Sequence, residues 1–563
     1  MRKRVVLLLI VFLMLQSWLV GCGSARDGKG SETAAMRDVK EFTAFYALEG
    51  EKISSNNAVQ EEIARITGAK CKETWLSGQT AEKAIGMMIA TGEYPDFIVG
   101  ATGRSQLINA GALIPIDEYL VEYPNLYHFW SKETWDKLRS EDGHIYTIPA
   151  FGNIYKKATN TQQSEEAFWI QTRVLEWAGY PKVESLDQLF KLLEDYYKAN
   201  PTMEDGSKVV PFEVLTDDWY YYCLENPPQF LDGYPNDGSV LVDPNTYQVS
   251  DYNTSETAKK YFRKLNEEYR KGILDPECFM MTRDQYLEKI ASGRVLCMVD
   301  HYWNIISAVG AISAQGLDGC TYVPLGITIE PGMHEMYNTI STVNDNSNGI
   351  GISVDCKDVP GALQFLNDLL SEEVTILRNW GIQGEDYLVD KNGLFFRTYE
   401  MREKAKDADY RDSQFCAYTY FPNYDMNGMS LDGINAAVPE NQPSEFYETL
   451  LPKEKECLDA YGIKKFVDML DYNEIDDKDR PWYPMWTFSN NMTSETPGGL
   501  AWFLMTETKH DYLPNVVMAE DFDAAWKEYM NAYHACNPQD FLDEMQEEVY
   551  RRIEEETGKD VKK

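Results

Sequence analysis

Phe42-Thr-Ala-Phe-Tyr-Ala-Leu48, then Asn57-Ala-Val-Gln-Glu-Glu-Ile-Ala-Arg-Ile66 closed by Thr67-Gly68, then Ala69-Lys-Cys-Lys-Glu-Thr-Trp75, a stretch from Thr80 to Ala90, and Asp96-Phe-Ile-Val99 follow one another at the start of the folded chain. They read as strand, helix, strand, helix, strand. The strands alternate or run apolar over short lengths, the helices carry apolar residues three and four apart, and Gly68 sits where a helix must stop. Alternation of this kind predicts a parallel sheet with crossover helices and an α/β fold. The pattern returns later. Arg294 to Val299 and Gly349 to Val354 read as strands, separated from the first group by a largely helical middle section.

Helix signals continue along the chain. Ser185-Leu-Asp-Gln188 has capping-box spacing and opens a stripe of Leu186, Leu189, Phe190 and Leu193. Ala258, Tyr261, Phe262 and Leu265 form a second stripe, stopped by Gly272, and Phe365, Leu366, Leu369 and Leu370 a third; residues 520–556 read as terminal helices. No Pro/Ser-rich linker divides the chain, so we expect interleaved lobes.

Upstream of the first strand the sequence has a different character. Met1-Arg-Lys-Arg4 is basic, Val5 to Leu15 is an unbroken apolar run, and Leu19-Val20-Gly21-Cys22 follows. The run is too short for the roughly 20 residues of a spanning helix, and it reads as an export signal. The Leu, small residue and Cys spacing is similar to a bacterial lipobox, in which Cys22 is acylated and becomes the new N-terminus. Gly23 to Asp38 is small, polar and aperiodic, as expected of a tether. The expected product is extracytoplasmic and held at the outer face of the cell membrane by lipid on Cys22.

With 53 Lys and Arg against 91 Asp and Glu among 563 residues, the net charge is −38. Residues 1–21 carry three basic and no acidic groups, so a chain beginning at Cys22 has 50 against 91, a net −41. Such a surface repels phosphate backbones, and no nucleic-acid partner is expected. The 44% hydrophobic content supplies ample core and excludes disorder.

Acidic pairs are too abundant to identify a hydrolase. No Gly-x-Ser-x-Gly, His-Glu-x-x-His, phosphate-binding or dinucleotide-binding glycine loop occurs, and the six His are not paired at ligand spacing. Besides Cys22, nine Cys are scattered at 71, 223, 278, 297, 320, 356, 416, 457 and 536, with no Cys-x-x-Cys, which suits small buried hydrophobes rather than a disulfide framework. Asn344, Asn346, Asn348 and Asp355 have calcium-loop spacing but too little charge, and read as a turn. We expect no enzyme activity, no cofactor and no metal.

Aromatic residues cluster at loop positions: Trp130 and Trp135, Trp219-Tyr-Tyr-Tyr222, Tyr302-Trp303, and Trp482-Tyr483 with Trp486. Indole and phenol rings offer apolar faces with polar edges, which suits stacking on sugar rings; core packing is the competing reading. Tyr302-Trp303 follows an apolar strand, where ligands gather in open α/β sheets.

The ordered set Glu62-Ile-Ala-Arg-Ile-Thr-Gly68, Tyr94-Pro-Asp96, Gly111-Ala-Leu-Ile-Pro-Ile-Asp117, Tyr123-Pro-Asn125 and Asp142-Gly-His-Ile-Tyr-Thr-Ile-Pro149 carries a resemblance. It continues through Trp169-Ile-Gln-Thr-Arg-Val-Leu-Glu-Trp-Ala-Gly179, Ala291-Ser-Gly-Arg294, Gly381-Ile-Gln-Gly-Glu-Asp-Tyr387 and Asp390-Lys-Asn-Gly393. The chain resembles the lipid-anchored extracellular solute-binding proteins of bacterial ABC importers, in the large carbohydrate-type branch of Gram-positive bacteria. The resemblance implies a periplasmic-binding-protein-like fold of two α/β lobes, each discontinuous, closing on ligand in a cleft. It implies a carbohydrate ligand, delivery to ABC permease subunits in the membrane, and a monomer.

On that pattern the signal spans 1–21 and the tether 22–38. One lobe comprises 39–160 and 331–425, and the other 161–330 and 426–563. Glu49, Gly50, Arg104, Tyr302 and Trp303 should line the cleft, with Trp219 and Tyr220 on the opposite lobe. Two departures stand against the family pattern. Asn200-Pro-Thr-Met-Glu-Asp-Gly-Ser207 lacks the alternating acidic ligands of the calcium loop many members carry, and Gln171-Thr-Arg-Val-Leu175 replaces Arg-x-Asp-Trp-Leu, leaving Arg173 without an inherited role. An exported carbohydrate-active enzyme, a surface glycan-binding or sensory lipoprotein, and a peptide ligand remain the alternatives.

Overall fold

Strand β1 (Lys40–Tyr46) buries Phe42, Ala44 and Tyr46 on one face, while Thr43 between them is exposed and Phe45 is half-buried against a smaller apolar cluster on the other face. In this computed structural model the described residues are 39–563, except 49, 51–56, 141, 153–157, 237, 341–348, 415–417, 419, 427, 431, 475–479, 483 and 563. The signal, the tether, Cys22, Glu49, Cys416, Tyr483 and the Asn residues of the calcium-like spacing therefore lie outside the described residues. Lys40–Lys563 fold as one unit.

Helix α1 (Ala58–Thr67) starts because the Asn57 side chain accepts from the Gln60 N–H, and it ends at Gly68, whose φ of 72° a residue with a Cβ would adopt at a cost. Strand β2 (Ala69–Trp75), helix α2 (Ala81–Thr91, capped by Thr80) and β3 (Phe97–Val99) follow at the expected places. Strands β1, β2 and β3 pair in parallel, but the sheet is mixed. It has the order β2-β1-β3-β8-β4, where β4 is Thr147–Pro149 and β8 is Gly349–Ile352, and β8 runs antiparallel to both of its neighbours. The Gly349 to Val354 strand thus returns in the opposite sense to the one a simple crossover would give.

A second sheet, β5 (Glu166–Gln171), β6 (Cys297–His301) and β7 (Tyr322–Leu325), has the order β7-β5-β6 and is antiparallel throughout. The apolar run at 294–299 enters it as extended chain bridged to Val210 before becoming β6. One hydrophobic core draws on residues between Phe42 and Ile148 and again between Ile350 and Ala437; the other draws on Ala167 to Tyr337 and Phe446 to Ile553. Each lobe is therefore built from two stretches of chain.

The amphipathic stripes lie where periodicity places them. Helix Glu256–Lys271 buries Ala258, Tyr261, Phe262 and Leu265 and ends at Gly272, and Val359–Leu369 buries Phe365, Leu366 and Leu369. Ser185 caps Leu186–Ala199, but only half of its capping box forms: the Gln188 side chain accepts from Glu184 N–H rather than from Ser185. The terminal helices are Pro497–Met518, Phe522–Ala535 and Pro538–Thr557, so the bundle begins one helix earlier than the sequence reading placed it. Arg173 acquires a structural role, donating to Gln171 Oε1 at 2.7 Å and to the Gly293 carbonyl at 2.9 Å. All eight described Cys are free and buried. Among the described residues no helix is long and apolar enough to cross a membrane.

Candidate functional site

The aromatic residues divide once burial is known. Trp130, Trp135 and Trp482 are core, and Tyr220 is buried beneath its neighbours. Tyr302 is half-buried and tilted onto Trp169 at 5.0 Å. Trp219 and Trp303 keep 42% and 37% of their surface exposed, the fraction a ligand could still cover. They belong to the same lobe, and their rings are parallel to within 8° at 5.8 Å between centroids.

Sequence-local geometry explains how they meet. β6 ends at His301, and Tyr302 opens helix Tyr302–Ala314, so Trp303 projects from the first turn. Trp219 rides a tight turn in which Asp218 takes a φ of +46°, and the Asp217 carboxylate accepts the Arg283 backbone N–H. The Arg283 side chain bonds Asn304 Oδ1 at 2.7 Å and lies over the Tyr220 ring. Beneath the pair, fully buried Asp300 is the hub. It accepts from Tyr222 Oη at 3.0 Å, Tyr286 Oη at 2.8 Å, Asn304 Nδ2 at 2.8 Å and the His301 N–H at 2.7 Å. One carboxylate thereby locks the Trp219 turn, the Arg283 helix and the Trp303 helix to the end of β6.

Charge is concentrated under this platform. The His301 ring stacks on Trp303 at 5.0 Å and lies 3.3 Å from Glu165 and 3.9 Å from Glu166. Burial pushes the Glu166 carboxyl up to about 8, and burial likewise raises Asp300. For His301, burial opposes the charged form, but the Glu165 hydrogen bond and the surrounding carboxylates outweigh it and the pKa rises. Neither Asp300 nor His301 was singled out from sequence, although the two immediately precede Tyr302; Tyr222 was visible only as the end of the Trp219-Tyr-Tyr-Tyr222 cluster.

The other wall is the carboxyl end of the parallel strands. Tyr46 and Trp75, paired in register at the ends of β1 and β2, stack at 4.3 Å, and Tyr420 closes on Trp75 edge-on at 5.8 Å. Gly50 lies flat against Trp75: a Cβ on it would come within 2.2 Å of the indole. After β3 the chain turns at once through Gly100 and Gly103, where a Cβ would collide with the Arg104 backbone and with Ile85, and half-buried Arg104 opens the next helix, Arg104–Asn109. Trp75 and Tyr420 were not predicted. The register argument that favours strand ends would have selected Trp75.

The two walls approach each other. The Asp218 carboxyl is raised first by burial and then by Glu82, at the head of α2 in the opposite lobe. Arg411, from a helix packed on α1, reaches Gly310 on the Trp303 helix. Among the described residues no cluster of His, Cys, Asp and Glu could hold a metal ion. The arrangement has stacking surfaces and hydrogen-bonding side chains on two lobes, suited to grasping a small solute.

A family model described as bacterial extracellular solute-binding protein matches residues 68–383. The chain belongs to that family. Membership makes it an extracytoplasmic solute-binding protein and not an enzyme. "Lipoprotein LipO" of Bacillus subtilis is 23% identical over 411 residues, covering 70% of this chain and 75% of the relative. The "Fructooligosaccharide ABC transporter substrate-binding protein FusA" of Streptococcus pneumoniae is 21% identical over 366 residues, 60% of this chain and 61% of its own length. The solved structure of FusA in complex with kestose superposes with a TM-score of 0.63 at 15% identity, covering 92% of this chain and all of that one. The two-lobed fold of the family is thus the fold of this chain.

Proposed function

We propose that this protein is the substrate-binding lipoprotein of an ABC importer, capturing an oligosaccharide between its lobes and handing it to the membrane permease. The observation that carries the reading is the parallel Trp219 and Trp303 pair, exposed on one wall and held rigid from below by Asp300. Indole faces suit the C–H faces of sugar rings, and the fixed scaffold spares the ordering cost of binding. The carbohydrate ligands in the names of FusA and of its kestose complex support the same class. Carboxylates around the cleft (Glu165, Asp218, Glu82) and the overall acidity disfavour anionic sugars.

Lipid on Cys22 would hold the protein at the outer face of the cell membrane as a monomer, and the likeness to a named lipoprotein agrees with the lipobox spacing. A ligand touching both lobes stabilises the closed form by its differential contacts. Moving a 1:99 equilibrium to 99:1 takes about 5.5 kcal/mol. Stacking and a few hydrogen bonds are of that size.

The test is a thermal-shift and calorimetric screen of the purified protein against neutral and acidic oligosaccharides and short peptides. Saturable stabilisation by one neutral sugar class, without product formation, is the expected result. Stabilisation by peptides alone would replace the ligand class.

A further inference from the structure

We propose that the β2 wall supplies the polar half of the sugar site: Glu73 Oε2 accepts from, and the Trp75 indole N–H donates to, one hydroxyl of the bound sugar. The proposal rests on the carbohydrate reading above and names residues for it on the lobe opposite Trp303.

Residues 73 and 75 lie two apart on β2 and point to the same face, beside Ala44 and Tyr46 of β1. Tyr46 Oη donates to Glu73 Oε1 at 2.5 Å, which fixes the carboxylate and leaves Oε2 to spare. Glu73 Oε2 and Trp75 Nε1 are both buried and have no hydrogen-bond partner. Buried polar groups are nearly always paired, so two idle atoms of opposite character on one strand face call for a common partner. A hydroxyl is such a partner, since it donates one hydrogen bond and accepts another.

Tyr46 stacks on the Trp75 ring at 4.3 Å and Gly50 packs flat against the indole, so the polar capacity of the side chain is its N–H. Arg378, which lies within electrostatic reach of Glu73, donates from its two terminal nitrogens to the carbonyls of Leu369, Tyr418, Phe421 and Pro422, which sets Tyr420 against Trp75, and keeps a buried Nε–H without a partner. Trp75 and Tyr420 are half-exposed at the carboxyl end of the strands, where the walls face each other. Glu73 also offsets the charge of buried Arg378, but that role and the bond from Tyr46 leave its Oε2 without a hydrogen-bond partner.

The experiment measures calorimetric affinity of the purified protein for kestose, maltotriose, mannotriose and chitotriose, with the variants W75F, E73Q and W303A compared on whichever sugars bind. Phe at 75 keeps an aromatic ring against Tyr46 and deletes the N–H together with one ring of the indole, and Gln at 73 keeps the bond from Tyr46 while replacing the idle acceptor. Both variants should weaken binding about 5–10-fold, the value of one hydrogen bond made only with ligand. The melting temperature of the free protein should fall modestly in both variants, through lost ring packing in W75F and the lost attraction to Arg378 in E73Q, so the affinity, and not the melting temperature, decides the assignment. If E73Q fails to fold, W75F decides alone.

Affinity within twofold of wild type in W75F, with W303A weakened, overturns this assignment and leaves the proposed function standing. Unchanged affinity with a lowered melting temperature identifies a structural water site and overturns it equally. A panel without saturable binding overturns the carbohydrate reading and this assignment together.

Discussion

Replacing Trp303 by Ala separates two quantities that one side chain carries. Trp303 is 37% exposed in the free protein, so with about 250 Å² for an indole roughly 90 Å² is available to ligand and roughly 160 Å² is already packed. At about 25 cal/mol per Å², covering the exposed part contributes about 2 kcal/mol, which is about 30-fold in Kd. That is an upper figure, since a sugar ring covers only part of the face; a loss of 10- to 30-fold is expected. Removing the packed part deprives Trp219 and His301 of their neighbour and costs up to about 4 kcal/mol of stability, a clear fall in melting temperature. Calorimetry with a sugar that binds wild type gives the first number, and thermal melting of the ligand-free variant gives the second. The reasoning is refuted by a Kd within twofold of wild type while the melting temperature drops as predicted, because Trp303 would then be packing alone.

Three further expectations follow from buried charge and close packing. Burial holds Glu166 at about 8 against an ordinary 4.5, so it is proton-rich when folded, and the fold loses stability as pH rises from about 4.5 through about 8; Glu166→Gln should melt like wild type at pH 5 and higher than wild type at pH 9, and equal melting at both would refute this. Lys509 is fully buried and pairs with Glu225 at 2.7 Å, so Lys509→Met alone should cost about 3–5 kcal/mol in urea unfolding, with much of it recovered when Glu225→Gln is added; additive losses would show that the two act separately. Gly50→Ala brings a Cβ to 2.2 Å from the Trp75 indole, so a changed tryptophan emission and at least fivefold weaker sugar binding are expected, and wild-type behaviour in both would mean the 50 region lies elsewhere in solution.

Much of the N-terminal half-sheet was legible because its signals are local. The helix starts near Asn57 and Thr80, the stop at Gly68 and the alternation of Phe42, Ala44 and Tyr46 each depend on neighbours a few residues away. Strand sense was not legible: nothing in Gly349 to Ile352 says that it will pair antiparallel with β3, since the sequence between them contains the whole first stretch of the other lobe. The aromatic clusters were visible as candidates, but exposure sorted them. Trp130 and Trp135 pack edge-to-face with each other inside a core, whereas Trp219 and Trp303 lie at its surface. The same composition thus serves packing in one place and an exposed aromatic surface in another.

By itself the sequence determined what depends on short range and on composition: the export signal pattern ending at Cys22, the acidic surface, the α/β alternation and the family resemblance. Tertiary structure decided what depends on residues far apart meeting. Trp219 reaches Trp303, Asp300 gathers Tyr222, Tyr286 and Asn304, and Tyr46 and Arg378 frame Glu73. Periodicity reports which side of an element is buried, but a binding site is a set of side chains whose positions are set by packing between elements, and only the folded core brings them together.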